Sequence, residues 1–376
     1  MYINRRKFIK NIGLVGKTGL FVALSGSVLL KGCAPEAEQE TMKEKDQALN
    51  DWEPSYFVLE REGLFETRID EAFSVMEECT LCPRACEVNR LQGKTGFCQT
   101  QEKAVIFSHQ PHFGEEIPLV GNNGSGTIFF SNCNLRCVFC QNYPLAHKGR
   151  GQERSDEELA DMMLDLQNRG CHNINLVTPT HVMPNILNAT RIAMKKGLKI
   201  PLCYNTSGYE RAEKIKMLDG VADIYLPDLK FMDGEKAERY NEARARGYPE
   251  LAQEAIIEMH RQVGDLVTDA DGIAKRGLVL RHLVMPNRVA GTKQFVDWVA
   301  NNLTKDTYVN IMSQYRVEYK AFDYEKIARS ITSKEYVEAI AWAEEAGLTN
   351  IDPRAMQQYQ RHKRRLDEDV EIDTLH

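Results

Sequence analysis

From residue 124 onward, short apolar runs alternate with longer stretches whose apolar residues recur every three or four positions. Thr127-Ile-Phe-Phe130 is the first run, and others cover 173–177, 199–204, 222–226, 277–284 and 307–312. Residues apolar at successive positions predict strands buried on both faces. Between them the longer period predicts helices over 155–169, 186–196, 210–218, 235–246, 251–263 and 292–301. Ser155 with Glu158 three residues on predicts a capping box, and Asp269-Ala-Asp271-Gly272 reads as the turn of an inserted hairpin. Strand–helix alternation of this kind makes a parallel sheet covered by helices. Six such units predict an α/β fold, a partial (β/α)6 TIM-like barrel, with ligands at the C-terminal strand ends. No internal repeat breaks the series.

The chain before residue 124 is different in kind. Asn4-Arg5-Arg6-Lys7-Phe8-Ile9-Lys10 resembles a twin-arginine export signal. Residues 12–30 are weakly apolar, interrupted by Lys17 and diluted by glycines, which falls short of the ~20 predominantly apolar residues of a membrane span. Leu30-Lys31-Gly32-Cys33 resembles a lipoprotein cleavage box, which makes Cys33 the lipidated first residue of the mature chain. An uncleaved membrane-associating helix is the alternative. The expectation is an exported lipoprotein with a lipid anchor at the membrane, or a cytoplasmic protein if the signal is not used. Residues 34–70 open with Glu36, Glu38, Glu40, Glu44 and Asp46 and read as a solvated acidic tether. Residues 331–376 read as a C-terminal helical tail, its basic run at 362–365 followed at once by acidic residues.

With 376 residues the chain has room for a large barrel plus attachments, and its net charge of −6 gives no nucleic-acid footprint. Ten cysteines are present, and seven of them fall between positions 79 and 140. A secreted disulfide scaffold would be short and would spread its cysteines; this crowding points to metal.

Cys133-Asn-Leu-Arg-Cys137-Val-Phe-Cys140 carries the sharpest signal. Three thiolates can wrap one face of an iron–sulfur cube and leave one iron open for chemistry, and soft thiolates select zinc, copper(I) or iron–sulfur clusters. A closed zinc site using these cysteines and a histidine such as His147 is the plainer alternative, although structural zinc usually takes its ligands in two pairs. The spacing, with Phe139 before the last cysteine, resembles the radical S-adenosylmethionine (SAM) superfamily. That resemblance implies a [4Fe-4S] cluster on Cys133, Cys137 and Cys140. It also implies SAM chelated to the open iron, a low-potential electron donor, and reductive cleavage of SAM to a 5′-deoxyadenosyl radical that abstracts hydrogen.

Further segments resemble the activating enzymes of glycyl-radical enzymes. Cys140-Gln-Asn142, Tyr204-Asn-Thr-Ser-Gly208, Leu226-Pro-Asp-Leu-Lys230 and Arg281-His-Leu-Val-Met-Pro286 match their strand-end motifs. The resemblance assigns SAM binding to Asn142, Asn205, Thr206, Asp228, Lys230, Arg281 and Val284, with Phe139 beside the cluster, and a monovalent cation near the Asp and Thr. Where those enzymes carry Gly-Gly-Glu to receive the SAM amine, this chain has Thr178-Pro-Thr-His181; Thr180 or backbone carbonyls are the candidate replacements. With Cys79-Thr-Leu-Cys-Pro-Arg-Ala-Cys86, His112-Phe-Gly-Glu-Glu116, Gly124–Phe130 and Asn310-Ile-Met-Ser-Gln-Tyr315, the likeness is to an uncharacterised branch related to the pyruvate formate-lyase activating enzyme. The hydrogen donor is then a protein glycine or another unactivated carbon, of a protein or small-molecule substrate. An exported iron–sulfur electron-transfer lipoprotein without SAM chemistry is the alternative.

Cys79, Cys82, Cys86 and Cys98 form a second set, brought together by turns at Pro83, Gly93 and Gly96. Four thiolates close a zinc site or hold an auxiliary iron–sulfur cluster. The expected organisation is therefore signal 1–33, tether 34–70, cysteine-rich module 71–120, catalytic core 121–330 and tail 331–376.

Overall fold

A computed structural model of the chain describes residues 52–374. The export signal, Cys33 and the tether up to residue 51 lie outside these residues. Among the described residues nine strands form the sheet: β1 Ala104–His112, β2 Ser125–Phe130, β3 Gln152–Arg154, β4 Ile174–Val177, β5 Leu202–Thr206, β6 Ile224–Pro227, β7 Val267–Thr268, β8 Ala274–Leu283 and β9 Tyr308–Met312. Six of them, β2, β4, β5, β6, β8 and β9, are parallel in succession. This is the α/β partial barrel expected. Every residue of β4, β5 and β6 is buried, because helices cover the outer face and side chains fill the inner one.

The helices present the apolar stripes read from the sequence. Leu159, Met163 and Leu166 of Asp156–Asn168 are buried, as are Ile256 and Met259 of Tyr248–Val263 and Phe295, Val296 and Val299 of Thr292–Asn302. Ser155 accepts from the Glu158 amide and the Glu158 side chain accepts from the Ser155 amide, which completes the capping box. Two other helices are shorter than predicted. Helix Gly234–Tyr240 gives way at Asn241 to turns, and the stretch after Glu210 holds only Ala212–Ile215 and a 3-10 turn.

Three boundaries are corrected. Residues 55–70 are not tether: helices Ser55–Arg61 and Phe65–Ser74 bury Tyr56, Leu59, Phe65 and Ile69. The Ser55 amide donates to Asp223 Oδ1 at 2.7 Å and Tyr56 Oη to the Ile200 carbonyl at 3.0 Å, so this segment buttresses the N-terminal ends of β5 and β6. The cysteine-rich module stops short of residue 104, because β1 pairs antiparallel with β2 on one side and with the short outermost strand β3 on the other. Its Ser108, His109 and Gln110 hide it from an apolar-run search. Residues 331–376 are more than a tail: helix Ser333–Glu345 buries Tyr336, Ala339, Ile340 and Ala343. Tyr336 Oη lies 2.9 Å from the Ile311 carbonyl at the end of β9.

Candidate active site

The cluster loop begins where β2 ends. Asn132 and Arg136 take positive φ values of 72° and 53°, which fold eight residues tightly enough to turn their thiols toward one side. The amides of Leu135 and Arg136 approach Cys133 Sγ at 3.4 and 3.5 Å, and donors of this kind stabilise a thiolate. The loop is stitched down on both sides: the Val138 amide donates to Tyr240 O at 3.0 Å and the Glu242 amide to Arg136 O at 2.9 Å. Here the early end of helix Gly234–Tyr240 finds its reason. Phe139 packs between Phe231 and Tyr315, with ring centroids 6.0 Å away in each case.

Cys133, Cys137 and Cys140 line one cavity of about 400 Å³, within the range of small-molecule sites. The same cavity is lined by Phe139, Asn142, Asn205, Thr206, Asp228, Lys230 and Arg281. Each lies at or just past the C-terminal end of a parallel strand, or in the cluster loop. Seven of the nine cofactor-binding residues expected from the sequence therefore meet around the three thiols.

Two do not. Val284 is buried outside the cavity, and its amide donates to Met312 O at 3.0 Å. Arg281 and Leu283 face inward two residues apart, so the pleat turns Val284 away. Thr180 points its hydroxyl at Glu210 Oε1, 2.6 Å away. Thr206 also donates to that oxygen at 2.5 Å, and Tyr204 at 3.4 Å. Burial pushes Glu210 up to about 7, against the three hydroxyl donors, and its Oε2 has no partner.

The charged residues form a chain. Lys230 Nζ is 2.6 Å from Asp228 Oδ2, and Arg281 Nε is 2.9 Å from Asp228 Oδ1. Arg281 also donates to Asn205 Oδ1 at 2.6 Å and to Glu115 Oε2 at 3.3 Å. Burial alone would raise Asp228; Arg281 and Lys230 outweigh it and hold the carboxyl below the usual aspartate range. Burial likewise lowers Lys230, and Asp228 and the Cys137 thiol reverse the sign. The oxygens proposed for a monovalent cation are thus engaged: Asp228 by two cations, Thr206 by Glu210. Beneath them Tyr248 Oη accepts from the Lys230 amide at 2.9 Å and reaches the Ser207 and Asp228 carbonyls at 2.8 and 2.9 Å.

The thiols suit a soft metal centre. Burial raises Cys137 and pushes Cys140 up to about 12, so metal must supply the positive charge that lets both ionise. His147 does not serve as a fourth ligand: its nitrogens lie 3.1 Å from the Cys137 carbonyl and 3.3 Å from Glu242. Three thiols with an open side, beside a cavity, fit a [4Fe-4S] cluster with one free iron.

Sequence reasoning gave no role to His112, Glu115 or Thr178, all in the cavity wall. Glu115 and His112 belong to a motif already singled out, and their ring nitrogen and carboxylate lie 3.5 Å apart. Thr178 has φ 61°, a strained conformation for a β-branched residue, at the place where Gly-Gly-Glu was missing. His181 is buried behind the wall, with Nε2 2.8 Å from Ser131 O and its ring held neutral, near 4, by burial.

The fold and site define an α/β partial barrel with a cavity at its strand ends, lined by three cysteine thiols and a set of buried charged groups. The Radical SAM superfamily pattern matches residues 127–273. An uncharacterized protein of Methanocaldococcus jannaschii, MJ0674, is 30% identical over 299 residues, covering 77% of this chain and 81% of that protein. Among solved structures, HydG, a maturase of the [FeFe]-hydrogenase, is 13% identical with a TM-score of 0.41 over 85% of this chain, which spans 64% of the HydG chain. Methylornithine synthase (PylB) is 14% identical with a TM-score of 0.37, over 60% of this chain and 69% of that one. The chain belongs to the radical SAM superfamily, whose enzymes use a [4Fe-4S] cluster and SAM.

Proposed function

We propose that Cys133, Cys137 and Cys140 hold the [4Fe-4S] cluster and that the cavity above them holds SAM for hydrogen abstraction from an unactivated carbon. When bound, the cofactor pair supplies an adenosyl radical. The observation that carries this reading is the single cavity in which three thiols meet Asn205, Asp228, Lys230 and Arg281. A zwitterionic methionyl group needs a cation for its carboxylate and an acceptor for its amine, and charge-assisted bonds of this kind are the strong ones. Lys230 and Arg281 serve the first need. Glu115 serves the second in place of the missing Gly-Gly-Glu, because its contacts to Arg281 and His112, at 3.3 and 3.5 Å, are looser than the 2.6 and 2.9 Å bonds that hold Asp228. By the strand-end motifs, the substrate is a protein glycine or a similar carbon, as for glycyl-radical activating enzymes. A low-potential donor supplies the electron, and the N-terminal signal would carry the enzyme to the membrane as a lipoprotein.

The test is 5′-deoxyadenosine formation by the anaerobically loaded protein with SAM and a strong reductant, beside Cys140→Ala. Product that vanishes in the variant is the expected result. No product from fully loaded protein would refute the reading and favour the electron-transfer lipoprotein. Thr178 and the turned-away Thr180 would then be the reason.

A further inference from the structure

Cys79, Cys82, Cys86 and Cys98 surround an enclosed cavity of their own. We propose that they hold a second metal centre, ligated by four thiolates, directly behind the cluster loop.

The backbone is shaped to aim these thiols inward. Ala85, Glu87 and Gln99 take positive φ values of 39°, 53° and 58°, so the chain reverses immediately beside Cys86 and Cys98. None of the four is in a disulfide. The Phe97 amide approaches Cys86 Sγ at 3.4 Å, and Nη1 of the buried Arg90 lies 3.9 Å from Cys79 Sγ. Donors directed at sulfur are a lever by which proteins tune iron–sulfur centres.

Four thiols on one cavity of about 20 Å³ can close a zinc site or hold an iron–sulfur cluster.

Two further polar side chains complete the wall. Asn134 and His181 are buried and line this cavity, and Asn134 Oδ1 and His181 Nδ1 have no hydrogen-bond partner. Asn134 Nδ2 already donates to Tyr209 O at 2.8 Å, and His181 Nε2 is spent on Ser131 O. Asn134 also fixes the location. It follows Cys133 directly, so adjacent residues carry the wall of this cavity and the first thiol of the other.

The decisive experiment is iron, acid-labile sulfide and zinc analysis, with Mössbauer spectra, on anaerobically loaded full-length protein. The companion variants are Cys133→Ala/Cys137→Ala/Cys140→Ala and Cys82→Ser/Cys98→Ser. The triad-less variant is expected to keep metal, either about one zinc per chain or iron and sulfide in equal amounts with at least about two of each, and the analysis tells the two apart. The other variant is expected to lose that fraction and keep the triad's iron. A triad-less variant that binds neither iron nor zinc would overturn the proposal. If Cys82→Ser/Cys98→Ser fails to fold, the unmodified protein and the triad-less variant still decide. Because the triad-less variant cannot make 5′-deoxyadenosine, its metal content stands or falls apart from the proposed activity.

Discussion

Glu210→Gln should remove a pH dependence of stability that the wild-type fold carries. Glu210 is fully buried, takes three hydroxyl donors on Oε1, has no cation beside it, and is raised by burial from its ordinary 4.5 to about 7. The folded state therefore keeps this proton where the unfolded chain has lost it. Between pH ~4.5 and ~7 the native state binds more protons, so stability falls as pH rises, and the loss is complete above ~7. At ~1.4 kcal/mol for each tenfold change in proton affinity, the loss is about 3 kcal/mol. Gln keeps an acceptor in place of Oε1 and cannot ionise. The difference in melting temperature, Gln variant minus wild type, should then rise between pH 5 and pH 8. Domains of 150–250 residues move roughly 2–4 °C per kcal/mol, so about 5 °C is expected in this larger body. Differential scanning calorimetry of the anaerobically loaded proteins measures it, and subtraction cancels every other titrating group. A difference that stays flat with pH would refute the reasoning.

Glu115→Gln, with Glu115 3.3 Å from Arg281 in the cavity wall, should weaken SAM binding by roughly 10- to 100-fold, the loss of one hydrogen bond to a charged group of ~1.5–3 kcal/mol; equilibrium dialysis reads it, and unchanged affinity would remove Glu115 as the amine acceptor. Gly208→Ala should destabilise the strand end by about 2 kcal/mol or more, because Gly208 has φ 79° and an added Cβ would collide with the Asp228 carbonyl; an unchanged melting temperature would count against that geometry. Tyr248→Phe leaves the Lys230 amide without its acceptor, and a melting temperature lowered in line with ~1–3 kcal/mol is expected.

Much of this site was legible because its parts are local or periodic. The Cys133-x3-Cys137-x2-Cys140 spacing is covalent, and a loop of eight residues cannot carry its thiols far apart. Asn205, Asp228 and Arg281 could be placed at strand ends because apolar runs mark where strands stop, and parallel strands bring their C-terminal ends to one side. Val284 shows the limit of motif matching: it belongs to the same segment as Arg281, yet one step of the pleat sends it elsewhere. Thr180 shows another. Its hydroxyl was free to reach the cavity until Glu210, thirty positions on, claimed it. The tether boundary failed for a simpler reason, since acidic residues drew the eye from the spacing of Tyr56, Leu59, Phe65 and Ile69.

The sequence by itself determined the class of fold, the thiol chemistry and the set of residues from which the site is drawn, because apolar period and ligand spacing act over a few residues. Only the tertiary structure decided which polar groups face the cavity, that Asp228 is paired with both Lys230 and Arg281, that Glu115 enters the cavity wall after β1, and that Cys79, Cys82, Cys86 and Cys98 line one cavity. Those outcomes depend on distances between segments far apart in the chain, and they are set by packing and by the pairing of buried charges.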